Sequence, residues 1–171
     1  MKVIWVVIVA MIILIAGGAY FGYSYFENSQ SSGHMAISVA DAPVSGVTGV
    51  FITFTSASIH SNASGWVNYT VSTHTINIFN LTTTNASLLT NITLHAATYT
   101  MIRLYIKNVT VDLLGAKVNF TLNAPFVFIN HPFKVTAHSN QEVMIDFNLN
   151  QDLNVNSDVF TPYVGFSVQS S

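Results

Sequence analysis

From Met35 onward the chain reads as strand after strand, short segments in which apolar and polar residues alternate. Tyr99-Thr100-Met101-Ile102-Arg103-Leu104-Tyr105-Ile106 is the cleanest of them. A period of two sends successive side chains to opposite faces, so such a segment can bury its apolar half only as a strand in a half-buried sheet. Val50 to Ile59, Val109 to Leu113, Lys117 to Leu122, Phe126 to Ile129, Phe133 to Thr136, Glu142 to Leu149 and Tyr163 to Gln169 carry the same signature, rich in β-branched and aromatic residues. Trp66 to Val71 and Thr75 to Phe79 read as a hairpin pair. Turn-forming residues recur between them: Pro43, Gly46, Gly65, Gly115, Pro125, Pro132 and Pro162. Many short strands at this spacing predict an all-β fold, an antiparallel β-sandwich of the immunoglobulin or transthyretin-like kind. Only Ala86 to Leu94 suggests a short helix within the domain.

The N-terminus is different. After Met1-Lys2, residues Val3 to Ala16 contain no polar side chain, and Val3 to Tyr23 contains no charge. An apolar run on every face over four turns predicts one hydrophobic helix that is not part of a soluble core. Its 14 strictly apolar residues match a secretory h-region, and its 21 uncharged residues suffice to cross the roughly 30 Å of a bilayer core. Either way Lys2 stays inside and the rest is delivered outside. Cleavage would fall near residue 19, after Gly18 or Ala19; retention, the leading reading, would leave Tyr20, Phe21, Tyr23, Tyr25 and Phe26 at the outer interface. The organisation expected is therefore a leader or anchor over 1–23, a polar linker over 24–34 that includes Glu27 to Gly33, and a domain over 35–171.

Composition narrows the function. There is no cysteine, which excludes disulfides, thiolate zinc sites, iron–sulfur clusters and a cysteine-ligated copper centre. Charged residues make up 7% of the chain, against about 25% in ordinary domains. The five basic residues are scattered and net charge is −2, so no nucleic-acid partner is expected. With seven acidic residues, little stability rides on paired carboxylates, and the domain is expected to tolerate strong acid.

No arrangement of residues points to catalysis. Six histidines (His34, His60, His74, His95, His131 and His138) show neither strand nor helix ligand spacing, so neither a metal nor any other cofactor is expected. Serines are plentiful, but no Gly-x-Ser-x-Gly elbow or Ser/His/Asp grouping stands out. Asp146, flanked by Ile145 and Phe147, and Asp41, at the end of an opening strand, are candidates for a structural polar site rather than a catalytic one. The one motif in excess is N-x-[ST]. Seven asparagines carry it, Asn62, Asn68, Asn80, Asn85, Asn91, Asn108 and Asn119, where random placement would give roughly three.

The order of these features resembles the DUF4382 family, exported β-domains of archaea and bacteria whose function is largely unassigned. The resemblance rests on Asp41-Ala42-Pro43 after the first strand, Val50 to His60 leading into Gly65-Trp66, Asn80 to Leu94 before Ala97-Thr98-Tyr99-Thr100-Met101-Ile102-Arg103-Leu104, Pro132-Phe133-Lys134-Val135, and Ile145-Asp146-Phe147. It covers Ile37 to the C-terminus. Ala97 stands where the family often has glycine, and the C-terminal proline motif is blurred. The resemblance implies an envelope-attached module and supplies no catalytic residues.

The function expected is a membrane-anchored extracytoplasmic domain with a structural, adhesive or ligand-binding role. Its partners would be the membrane, through residues 3–23, and envelope proteins, glycans or copies of itself. The alternative is a secreted, glycosylated filament subunit that donates its N-terminal tail, Tyr20 to Ser32, as a strand, with Phe21, Tyr23 and Tyr25 along one face. An extracellular glycan-active enzyme is a third reading without a motif behind it. If several sequons are occupied, protein from its natural host will show an intact mass well above that of the 18.6 kDa polypeptide; a mass equal to it would remove the glycoprotein reading.

Overall fold

A computed structural model describes residues 11, 13–23, 31–41, 44–82 and 84–170, with backbone alone at 72–74 and 170. The apolar segment lies largely outside these residues. Its described part, 13–23, is a mostly exposed helix, α1. Among the described residues no helix is long and apolar enough to cross a membrane. Phe21 and Tyr23 are thus helical rather than extended, and Tyr25 lies outside the described residues.

The domain is a β-sandwich. Its strands are β1 (Ser32–Asp41), β2 (Gly49–Ser61), β3 (Gly65–Asn77), β4 (Ser87–His95), β5 (Ala97–Leu113), β6 (Ala116–Leu122), β7 (Phe126–Val135), β8 (Asn140–Phe147), β9 (Leu153–Asn154), β10 (Val159–Phe160) and β11 (Val164–Ser170), with one short helix, α2 (Leu149–Asp152). The small sheet runs β11-β8-β1-β4. The large sheet runs β3-β2-β5-β6-β10-β9, and β7 pairs with the part of β5 that β6 leaves free. Met35, Ile37 and Val39 of β1 and Val143, Ile145 and Phe147 of β8 belong to one buried cluster with Ile52 and Phe54 of β2 and Ile102 and Leu104 of β5. Phe147 lies 6.3 Å from the rings of both Phe54 and Phe160, which joins the two layers and the C-terminal strands.

Several elements differ from the sequence expectation, each for a local reason. The sandwich is not wholly antiparallel, because β1 pairs parallel with β8 and β6 parallel with β10. Most of the chain separates β1 from β8, so no tight turn fixes their direction. Of the expected helix Ala86 to Leu94, Ser87 onward is strand β4. Leu89, Ile92 and Leu94 are all buried. The three-residue step from Leu89 to Ile92 imitates a helical period, but it comes from a bulge: Ile37 faces Thr90 and Ser38 faces Leu88, which leaves Leu89 as the extra residue. The expected hairpin within 66–79 is the single strand β3, whose register against β2 slips between Phe54 and Ser56. Phe126 to Val135 is one strand through Pro132, which is tolerated because β7 pairs only with β5 and the ladder is irregular there. The β5–β6 hairpin was legible. Leu114 and Gly115 both have positive φ, 55° and 96°, as a type I′ turn requires.

The polar linker also ends earlier than expected. Gly33 belongs to β1, and a Cβ there would sit 2.6 Å from the Thr136 carbonyl oxygen and 2.8 Å from Val135 Cγ1. The amides of His34 and His138 close this approach, donating to Ser139 O and Ser32 O at 2.8 Å each. Gly33→Ala is therefore expected to lower stability by about 1–3 kcal/mol, read as a fall in denaturation midpoint. A tether glycine would tolerate the change without effect.

Candidate functional site

The outer face of the large sheet carries an aromatic ledge. Antiparallel register places Trp66, His60, Met101 and Asn130 in one row across β3, β2, β5 and β7. Asn68, Ser58, Arg103 and Phe128 form the next row, and Thr70, Ser56, Tyr105 and Phe126 the third. These positions alternate with the buried Ile59, Ala57, Ile102 and Leu104, so the sandwich core fixes which face they occupy. No acidic residue stands at any of these register positions.

Arg103, the chain's only arginine, is at the centre. Its guanidinium carbon lies 4.1 Å from the centroid of Trp66, 5.3 Å from that of Phe126 and 5.7 Å from that of Phe128. Contacts of this kind contribute about 0.5–2 kcal/mol each, depending on desolvation. Tyr105 meets Phe126 edge to face at 5.6 Å. His60 packs 5.1 Å from Trp66 and is held by a 2.7 Å hydrogen bond between its Nδ1 and Thr100 Oγ1. The register shift after Tyr99 brings Thr100 beside His60. Ser58 is buried and donates its hydroxyl to Asn68 Oδ1. Phe128 remains 47% exposed, and Arg103 is half-buried with a buried Nε that donates to no described residue. In sequence Arg103 is one of five scattered basic residues, with no neighbouring charge to mark it out. The missed signal was the recurrence of outward i, i+2 residues: Met101-x-Arg103-x-Tyr105, Phe126-x-Phe128 and Trp66-x-Asn68.

At one end of the sandwich a cavity of about 550 Å³ opens between the β3 and β4 edges. Val67, Tyr69, His95 and Tyr99 are among its lining residues. The Tyr99 hydroxyl donates to His95 O at 3.0 Å. Burial raises the pKa of both tyrosines above the usual phenol value, so each remains a neutral donor at ordinary pH. Its walls are mainly apolar and carry no acidic side chain.

Asp41 and Asp146 are not brought together. Asp41 pairs in register with Phe147 and is buried on the core side, whereas Asp146 lies on the opposite face between Ala40 and Gly165. The acid that shares Asp41's surroundings is Asp152, on α2 and 1% exposed. Asp152 Oδ1 accepts the Tyr163 amide at 2.5 Å, and its backbone carbonyl accepts the Thr161 amide at 2.8 Å. Burial pushes its pKa up to about 7; the Tyr163 amide opposes the rise, the charge of Asp41 adds to it, and the Asn148 backbone opposes it.

All seven sequon asparagines, Asn62, Asn68, Asn80, Asn85, Asn91, Asn108 and Asn119, are exposed. Asn68 borders the ledge. Asn80 adopts a positive φ of 68° in a turn, Asn85 caps its own loop through Thr82, and Asn119 accepts the Thr110 hydroxyl at 2.8 Å. The histidines are dispersed. His34 is near Thr93, His60 is on the ledge, His95 is at the cavity, His131 packs on Phe166, His138 sits in a turn, and the His74 side chain lies outside the described residues. Among the described residues no three His, Asp or Glu side chains converge on one point.

Comparison with known proteins settles the relationship. The family profile described as a domain of unknown function, DUF4382, matches residues 32–161. The chain belongs to the DUF4382 family. The match begins at the first residue of β1 and ends beyond β10, so it spans both sheets and leaves out α1 and the last strand. No curated protein sequence matches this DUF4382 chain. Among solved structures, it is similar to one from Bacteroides eggerthii DSM 20697 named as a candidate cell adhesion protein. They share 12% identity at a TM-score of 0.37, over 82% of this chain. The chain spans about half, 55%, of that protein's length.

The Asp152 environment gives stability a definite pH dependence. A carboxyl whose folded pKa, about 7, exceeds the unfolded value of 3.8 supports the fold fully only below about pH 4. That contribution is lost as pH rises to about 7, where the folded state must bury a charge. Between pH 4 and pH 8 the loss is on the order of 4 kcal/mol, or roughly 10–15 °C in Tm. In Asp152→Asn this difference should largely vanish, measured by thermal melts of both proteins at the two pH values. Equal pH profiles for the two would show that Asp152 is not the group responsible.

Proposed function

We propose that this DUF4382 protein is an extracytoplasmic cell-surface domain, tethered to a membrane by its N-terminal apolar segment and binding ligand through the outer face of its large sheet. One observation carries the binding role: a lone arginine held among Trp66, Phe126 and Phe128 on an open stretch of sheet with no acidic residue at the register positions around it. Burying part of a guanidinium with an unpartnered Nε costs about 1–3 kcal/mol, which packing alone would avoid with an apolar residue at that place. The tether is supported by the uncharged stretch from Val3 to Tyr23 behind Lys2, and an outside location by seven exposed sequons. We read the sandwich as immunoglobulin or transthyretin-like, a framework whose sheet faces and end loops commonly carry recognition.

The filament reading asks residues 20–32 to be released and extended. Helical 21–23 and the engagement of Ser32 in β1 weigh against it. The tether is tested on native protein: N-terminal sequencing should return Met1, and the protein should stay with membranes through an alkaline carbonate wash. A mature start near Tyr20 with release into the medium would overturn the tether and restore the filament.

A further inference from the structure

We infer that the ledge around Arg103 binds the carboxylate of an acidic sugar, making a uronic-acid-bearing polysaccharide the ligand of this domain; the inference rests on the reading of that face as the binding surface. The charge argument is local. Arg103 has Ser58 and Phe128 beside it in register, and the rows on either side contain only Trp66, His60, Met101, Asn130, Thr70, Ser56, Tyr105 and Phe126. None of these positions supplies a counter-anion, and the acid of the same face, Asp112, stands at the far end of β5 opposite Gly49 and Lys117, so an external carboxylate can take that place. A guanidinium at 4.1 Å from the Trp66 centroid, flanked by two phenylalanines, is restricted in orientation. A fork fixed in advance loses little freedom when it takes a planar carboxylate through two parallel N–H···O bonds.

The surroundings fit the rest of a sugar ring. Phe128, 47% exposed, offers an apolar surface for ring C–H groups next to the cation. Exposed Asn130, at the end of its row, supplies an amide donor and acceptor for hydroxyls. Trp66 already has Arg103 over its ring, so the sugar meets the arginine and Phe128 rather than the indole. The face is an exposed sheet surface, with Asn68, Phe128 and Asn130 all exposed, unlike the concave sites that enclose small molecules. A single sugar would bind it weakly. A polymer presenting the same carboxylate repeatedly to many tethered copies would bind through effective concentration. Net charge is −2, so attraction to polyanions in general is not expected; recognition has to be specific to this spot.

The test uses the full chain in detergent micelles and compares polygalacturonate, its methyl ester, neutral dextran and polyglutamate by co-sedimentation and biolayer interferometry. Polygalacturonate should bind, and its methyl ester at least about tenfold more weakly, as expected for loss of a charge-assisted bidentate pair. Arg103→Gln should lose the same factor. Arg103→Lys, which keeps the charge and removes the fork, should lose most of it, and Phe128→Ala several-fold. Thermal melts check that the variants fold; the methyl ester needs no variant, so the result does not depend on them. Equal binding of acid and ester, or of polygalacturonate by wild type and Arg103→Lys, overturns the carboxylate site. Polyglutamate bound as tightly as polygalacturonate overturns the sugar. Binding of dextran alone overturns the acidic ligand while leaving a glycan-binding surface, and absence of binding to all four probes and to host cell envelopes overturns that surface reading as well.

Discussion

The pairing of β2 with β5 is the constraint on which the rest of the domain depends. It runs from Gly49 opposite Asp112 to Ser61 opposite Tyr99 and places a long two-stranded ribbon at the middle of the large sheet. One side of β2 takes β3 along its whole length. The free side of β5 is longer than any one partner, so β6 covers its C-terminal part and β7 its N-terminal part. The inner face of the ribbon supplies Ile52, Phe54, Ile102 and Leu104 to the core, and the small sheet closes over them. A shift of one residue along this ribbon would turn those side chains to solvent and send Arg103 inward.

That ribbon is not regular. Its register shifts between Thr53 and Phe54, between Phe54 and Ser56, and between His60 and Ser61. Each shift lets the apolar pattern resume in phase after an extra residue and adds local twist. The last of them matters for the ledge. With Ser61 opposite Tyr99 and His60 opposite Met101, Thr100 falls beside His60 and fixes its ring next to Trp66. Fold and candidate site are thus one set of backbone irregularities seen from two faces of the same sheet.

Scarcity of charge gives the few ionisable groups unusual weight. In a chain with seven acids, Asp152 is buried on a one-turn helix with its carboxyl Oδ2 finding no hydrogen-bond partner among the described residues, close enough to feel Asp41. Its carboxyl is best accommodated neutral, a preference that suits acidic surroundings. The expectation of acid tolerance from composition and this buried carboxyl point the same way, through different physics: little paired charge to lose, and one acid that folds more easily when protonated.

The sequence by itself determined the sheet class, the positions of most strands, the uncharged N-terminal stretch and the family, because a period of two and the turn chemistry of Leu114-Gly115 are local properties. It misread 86–94 as helix and split β3, β5 and β7, because a bulge inserts a residue whose meaning depends on the partner strand: Leu89 is extra only against Ile37 and Ser38. Gly33 looked like tether and is a close approach, a fact held by Thr136 more than a hundred residues away. Only tertiary structure decided that Asp41 acts electrostatically on Asp152 and lies on the opposite face from Asp146. Likewise it alone assembled the ledge, since Trp66, Arg103 and Phe128 come from three strands and meet only when cross-strand register, which no single segment encodes, has been set by the shared core.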